Sequence, residues 1–168
     1  MNVNPRLSIA ILSIALSLSA ANTFAAQTVT VNEARAVVGA AEKAAMRDDV
    51  KKLATYHADD FVMTFSSPKP DGSQSVVRKN KEQEVGEFSE WLKRVIDHHY
   101  QSDAPTVSIV ENKAIARFHA TESFTQDNKH IQAVSDQIDT LELRNGRVLI
   151  TKADIRATHL TVDGRLIY

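Results

Sequence analysis

Along this chain the spacing of apolar positions changes from three or four residues in the first half to about two in the second. Those are the periods of a helix face and of a strand face. Thr30-Val-Asn-Glu33 fits a capping box, and the stripe Ala34, Val37, Val38, Ala41, Ala44 and Ala45 predicts a helix through about Met46. Asp48 is placed to cap a second, short helix from Val50 to about Tyr56. Phe61–Phe65 reads as a strand, Ser66–Gly72 as a turn, and Ser73–Val77 as the returning arm of a hairpin. Asn80, with Gln83 three residues on, opens a long helix carrying Val85, Phe88, Trp91, Leu92, Val95 and Ile96 on one face, and Asp103-Ala-Pro105 ends it. On that helix His99 continues the stripe, while His98 points away by roughly 100°. The remainder predicts strands: Thr106–Val110, Ala114–Phe124, His130–Leu143 and Val148 to about Leu160. Asn145-Gly146 is the strongest hairpin turn, and Asp163-Gly164 marks one more turn. Helices grouped before a meander of long antiparallel strands predict an α+β fold with the helices on one face of the sheet.

The extreme N-terminus follows neither period. Arg6 precedes an uncharged apolar run, Leu7–Ala21, which leads into Asn22-Thr-Phe-Ala-Ala26. A positive start, a short apolar stretch and small residues at its end predict a cleavable signal peptide over 1–26 and one domain over 27–168. The domain is then expected in the periplasm or the medium, with no membrane span after processing. The net charge of −1 carries no basic footprint, so no nucleic-acid partner is expected. The chain has no cysteine, which excludes disulfides, a thiol nucleophile and thiolate zinc sites. Its six histidines make no i,i+4 pair on a predicted helix and no His-x-His on a strand. Gly-rich phosphate loops and a Gly-x-Ser-x-Gly elbow are also missing from the sequence, so neither metal nor cofactor is expected.

Three segments carry a family resemblance: Asp48-Asp-Val-Lys-Lys-Leu-Ala-Thr-Tyr-His-Ala-Asp-Asp-Phe61, Pro70-Asp-Gly72 and Leu141-Glu-Leu-Arg-Asn-Gly-Arg147. With the element order, they resemble the nuclear transport factor 2-like superfamily, which includes ketosteroid isomerases and SnoaL-like polyketide cyclases. The resemblance spans about residues 30–160 and implies a cone, a curved sheet wrapped on helices with a pocket at its open end. It also implies a homodimer as one assembly to test. Fold alone does not give function. The isomerase base falls at Phe65 and the helix-borne oxyanion tyrosine near Ala41, neither of which can serve, and only Asp139 matches the third group. The resemblance therefore argues against isomerase chemistry of that kind.

Counting outward from a two-residue turn at Asn145-Gly146 pairs Asp139 with Lys152, Gln137 with Asp154 and Ser135 with Arg156. On the concave side this set would line the pocket, with Asp139 and Asp154 as candidate catalytic acids and Lys152 and Arg156 as binding groups. That arrangement loosely resembles the Asp-Arg-Asp group of the epoxide hydrolase branch. The alternative is a solvated outer face of alternating charge, and a single bulge would scramble the assignment. On the preceding strand Phe118 shares the apolar face with Glu122, a third candidate acid whose carboxyl would be raised by aromatic neighbours. Tyr56, Phe65, Trp91 and His99 complete the candidate pocket. The leading reading is an exported domain that holds a small, apolar or partly polar molecule. A hydrolase or isomerase using the pocket carboxylates, and a dimeric interaction protein with a filled cone, are the alternatives. A cone with paired acids would favour the enzyme.

Overall fold

The computed structural model describes residues 28–69 and 71–168, so the expected signal peptide lies outside the described residues. The first helix, α1, runs Val31–Ala45, and its capping box forms. The Glu33 amide donates to Thr30 Oγ1 at 3.2 Å, and the Thr30 amide donates back to Glu33 Oε2 at 2.9 Å. Ala34, Val38, Ala41 and Ala44 are buried along one face, and small residues there let the helix sit close on the sheet. The second helix, α2, is Val50–Ala54. Asp49, not Asp48, is its N-cap, accepting from the Lys52 amide at 2.9 Å. Asp48 instead takes a left-handed backbone (φ 55°) and sends its side chain elsewhere.

Strand β1 (His57–Pro68) and strand β2 (Gln74–Asn80) form the expected hairpin, longer on both arms than the β-propensity core alone suggested. Helix α3 starts at the Asn80–Gln83 capping box but spans only Lys81–Leu92. The predicted continuation to residue 103 is wrong: Ile96–Ser102 is strand β3, paired antiparallel to β5 (Lys113–Gln126). Val95 and Ile96 fit a helical stripe and a strand equally well, and pairing to β5 decides between them. Asp97 in the left-handed region (φ 52°) accompanies the break in register there.

Beyond it, β4 (Thr106–Val110) shares the edge of β5 with β3, each pairing with a different half of that strand. Strands β6 (Lys129–Arg144) and β7 (Arg147–Val162) complete the meander, and a short β8 (Arg165–Leu166) folds back on β7. The order across the sheet is β2-β1-β7-β6-β5-β3, with β1 and β7 the parallel pair. The protein is thus an α+β cone, a large curved mixed sheet that does not close, packed on its N-terminal helices. Phe61, Leu141 and Val38 are its most deeply buried large side chains. No helix among the described residues is long and apolar enough to cross a membrane.

The turn at Asn145-Gly146 has both residues at positive φ, 51° and 75°, as a tight hairpin turn of this hand requires. Leu143 pairs with Val148 and Leu141 with Ile150, as counting predicts, and then the register slips by one. Thr151 is the extra residue, so Thr140 faces Lys152 and Asp139 faces Ala153. The Thr151 hydroxyl donates to the Thr140 carbonyl at 3.3 Å, supplying a donor where a bulge interrupts the ladder. A second slip follows at Thr158, whose hydroxyl donates to the Val134 carbonyl at 3.1 Å. Strand β6 keeps strict alternation, and β7 carries both bulges.

Candidate functional site

The sheet's concave face, α1 and α3 enclose an open cavity of about 850 Å³. The cone is therefore not filled by its own side chains. From β6, Ile131, Ala133, Ser135, Gln137 and Asp139 line it in unbroken alternation, and the next residue inward, Leu141, belongs to the solid core. Asp139 thus sits at the inner end of the cavity. From β5 the even-numbered side chains Phe118, Ala120, Glu122 and Phe124 face it, and from β1 Phe65 does. Trp91 on α3 also lies on the wall, its ring edge-on to Phe124 at 4.8 Å between centroids.

The Thr151 bulge splits the charged face inferred from the sequence. Asp139 stays inside with Ala153 and Ile155, whereas Lys152, Asp154 and Arg156 are carried to the outer side of β7. There Lys152 and Asp154 pair with each other at 2.6 Å, and Arg156 is exposed. Neither Asp154 as a cavity acid nor Lys152 and Arg156 as binding groups stands. His99 is likewise misplaced: on a strand it points opposite to its neighbours, is exposed, and leaves the cavity to His98 and Tyr100. Tyr56 packs on the core with Lys52 Nζ 5.5 Å from its ring centre, and the next residue, His57, lines the cavity instead.

At the inner end Asp139 is 7 % exposed, and no hydrogen bond or ion pair reaches its carboxyl among the described residues. Burial pushes it up to about 7, helped by the like charges of Glu42 and Asp154. Glu42 reaches the same cavity from α1; burial raises it too, against a hydrogen bond from Ser102, and its Oε1 has no partner. Tyr100 contributes a phenol that burial and the charges of Glu42 and Asp139 push well up, so it stays a hydrogen-bond donor. His57 is buried and stacked on Phe61 at 4.0 Å, with Nδ1 unpartnered. Burial, then the nearby Lys81 charge, pull it down to about 4, so it is neutral at pH 7. Glu42 and Tyr100 were missed because neither lies in a chemical motif, whereas Tyr56-His57 at the close of the second helix was expected beside the pocket and supplies it through His57. The i,i+4 and i,i+8 spacing of Glu42 with Val38 and Ala34 was the one signal available for it.

Farther out, His98 is held between two carboxylates. Its Nδ1 lies 2.5 Å from Asp48 Oδ1 and its Nε2 2.9 Å from Glu122 Oε1. Trp91 and Phe88 stand edge-on to the ring, and its side chain is only 5 % exposed. The bond to Glu122, opposed by burial and reinforced by Asp48, raises its pKa. The left-handed turn at Asp48 is what aims that carboxylate back at the cavity wall. The carboxylates sit on opposite ring nitrogens, so the trio is a hydrogen-bonded chain rather than a set converging on one point. Among the described residues no three metal-ligating side chains are so placed.

A scan against protein-family models finds no match, and neither does a search of the curated proteins. Solved structures do match. A proposed scytalone dehydratase from Novosphingobium aromaticivorans is 10 % identical, with a TM-score of 0.62 over 77 % of this chain and 85 % of that one. A nuclear transport factor 2-like protein from Cytophaga hutchinsonii is 12 % identical, with a TM-score of 0.57 over 77 % of this chain and 100 % of that one. A protein with a cystatin-like fold from Nostoc punctiforme is 14 % identical, with a TM-score of 0.56 over 79 % and 96 %. At such identities the likeness is one of fold: the chain has the nuclear transport factor 2-like, cystatin-like fold.

Proposed function

We propose that the cone binds a small, largely apolar molecule. The observation that carries this reading is the cavity itself, about 850 Å³ of mostly apolar wall with polar groups gathered at two places. Small-molecule sites have that size and composition. An apolar wall of that extent facing solvent keeps surface exposed that a ligand would bury. The test follows Trp91, the only tryptophan in the chain, during titration with an apolar aromatic probe such as 1-naphthol. Saturable change is expected in the wild type, and weaker binding in Ala120→Phe, whose ring takes up part of the cavity from its wall. A wild type that gives no saturable change would sink the proposal.

A second reading, acid–base catalysis on that molecule, is favoured by the Asp48–His98–Glu122 chain. Asp48 on one nitrogen fixes the orientation of the imidazole, and the other nitrogen bonds Glu122, whose carboxyl lines the cavity, so a proton can pass between His98 and a bound molecule through Glu122. Asp139, close to half-ionised at neutral pH, is a second proton carrier at the inner end. The name of the Novosphingobium neighbour, a dehydratase, belongs to a reaction class that runs on such transfers. For a substrate once found, His98→Gln should leave binding within about threefold and lower kcat by roughly 10²–10⁴. Unchanged kcat would remove His98 from the chemistry.

Export belongs to the same proposal. Residues 1–26 have the composition of a signal peptide, which would place the domain in the periplasm or the medium. N-terminal sequencing of the exported product should begin at Ala26 or Gln27, and a chain still starting at Met1 would refute it.

A further inference from the structure

The inner end of the cavity is acidic with no counter-charge. Glu42 and Asp139 enter it from α1 and from β6, and Tyr100 and Gln137 are their polar neighbours. Every charge acting on Asp139, from Glu42 inside and Asp154 on the outer face, is negative. Of the two cations that line the cavity, Lys79 bonds Glu87 at 2.9 Å and reaches Glu84 at 3.5 Å, and Arg94, exposed just beyond α3, is not among the charges that act on Asp139; Lys152 is bound to Asp154 outside. Three groups around this space lack a partner among the described residues: the carboxyl of Asp139, 7 % exposed, Oε1 of Glu42, and Nδ1 of His57, a residue 8 % exposed. Buried polar groups are nearly always hydrogen-bonded, so unsatisfied acceptors together with an unpaired acid pair point to a missing donor.

Resting on the small-molecule reading above, we infer that the ligand carries an organic ammonium group, seated between Glu42 and Asp139 with its apolar body along the cavity wall. A protonated primary or secondary amine supplies two or three N–H donors, and a positive charge where no cation acts on Asp139. Out of water such a pair is strong, because charge-assisted hydrogen bonds are roughly twice as strong as neutral ones. A bare metal ion fits less well, since no three ligating side chains converge there among the described residues. A neutral ligand would leave the pair to relieve its repulsion by keeping a proton on Asp139. A carboxylate ligand would add a third negative charge.

Three probes of one shape separate these cases: 4-phenylbutylamine, 4-phenylbutan-1-ol and 4-phenylbutyrate, titrated at pH 7.5 against Trp91 fluorescence. The amine should bind at least tenfold more tightly than the alcohol, and the carboxylate most weakly. In the double variant Glu42→Gln, Asp139→Asn the amine should lose that advantage while the alcohol stays within about twofold. Both replacements keep side-chain shape, and a cooperative melt confirms that the variant is folded. Alcohol and amine binding equally well to the wild type would overturn the inference and leave the cavity reading standing. The same holds for an amine advantage that survives the double variant. If none of the three probes binds, both readings fail together.

Discussion

Asp139 is the residue whose environment departs most from what a carboxylate prefers. Raised to about 7 in the folded chain from an ordinary 3.8, it holds a proton between those pH values that the unfolded chain has already released. Unfolding then releases a proton, so rising pH from about 4 to 7 weakens the fold, by about 1.4 kcal/mol for each pH unit climbed within that window. His57 acts in the opposite sense: lowered to about 4, it refuses a proton that the unfolded chain takes up below about 6.5. The two slopes partly cancel in the wild type, and a difference measurement isolates one of them. The stability of Asp139→Asn minus that of the wild type should grow steadily from pH 4.5 to 7.5 in urea melts. An offset constant with pH would mean that Asp139 ionises normally. On the outer face, Lys152→Ala should cost no more than about 1 kcal/mol, since Lys152 and Asp154 are a half-exposed pair screened by water. A loss of several kcal/mol in thermal melts would place that pair in a buried setting.

The elements whose limits were legible are those closed by local chemistry. Both capping boxes, the Asn145-Gly146 turn and the alternation of β5 and β6 all rest on residues within a few positions of each other. What was illegible depends on the far side of the sheet. Whether Val95 and Ile96 end a helix or begin a strand is decided by β5, nearly thirty residues on. Which side of β7 carries Lys152 is decided by one threonine whose hydroxyl can replace a ladder bond. That slip explains why Asp139 was found and Asp154 lost, although both came from the same count. The shortened α3 also has a consequence for stability. Phe88 and Trp91 of its stripe face the cavity, and Leu92 is only half-buried, while Leu141 on β6 is fully buried. Leu141→Ala should therefore cost about 2–5 kcal/mol and Leu92→Ala clearly less, read from denaturant midpoints. Equal costs would show that α3 packs as tightly as the core.

For the whole molecule, the balance between packing and opening sets the response to both mutation and ligand. In a solid core an added methylene group costs roughly 1–3 kcal/mol. Ala120 is buried on the cavity wall rather than between packed layers, so Ala120→Leu should instead hold or raise the melting temperature while weakening any probe. A marked fall in melting temperature would mean that the space is not available to side chains. Any ligand that fills it should stabilise by about 2.7 kcal/mol at a hundred times its Kd. The two threonines of β7 carry a different kind of consequence. Each is a spare residue in the strand, and it bends the chain where it sits. Losing Thr151 would keep Ile150 opposite Leu141 and Lys152 opposite Thr140, with nothing left over between them. Every side chain would stay on its own face, and only the local bend would go. A shortening by one residue at either threonine should therefore alter the curvature of the cone without changing what lines it. Substitution and length change thus act on separate properties of the same wall, its chemistry and its shape, and each can vary in evolution without disturbing the other.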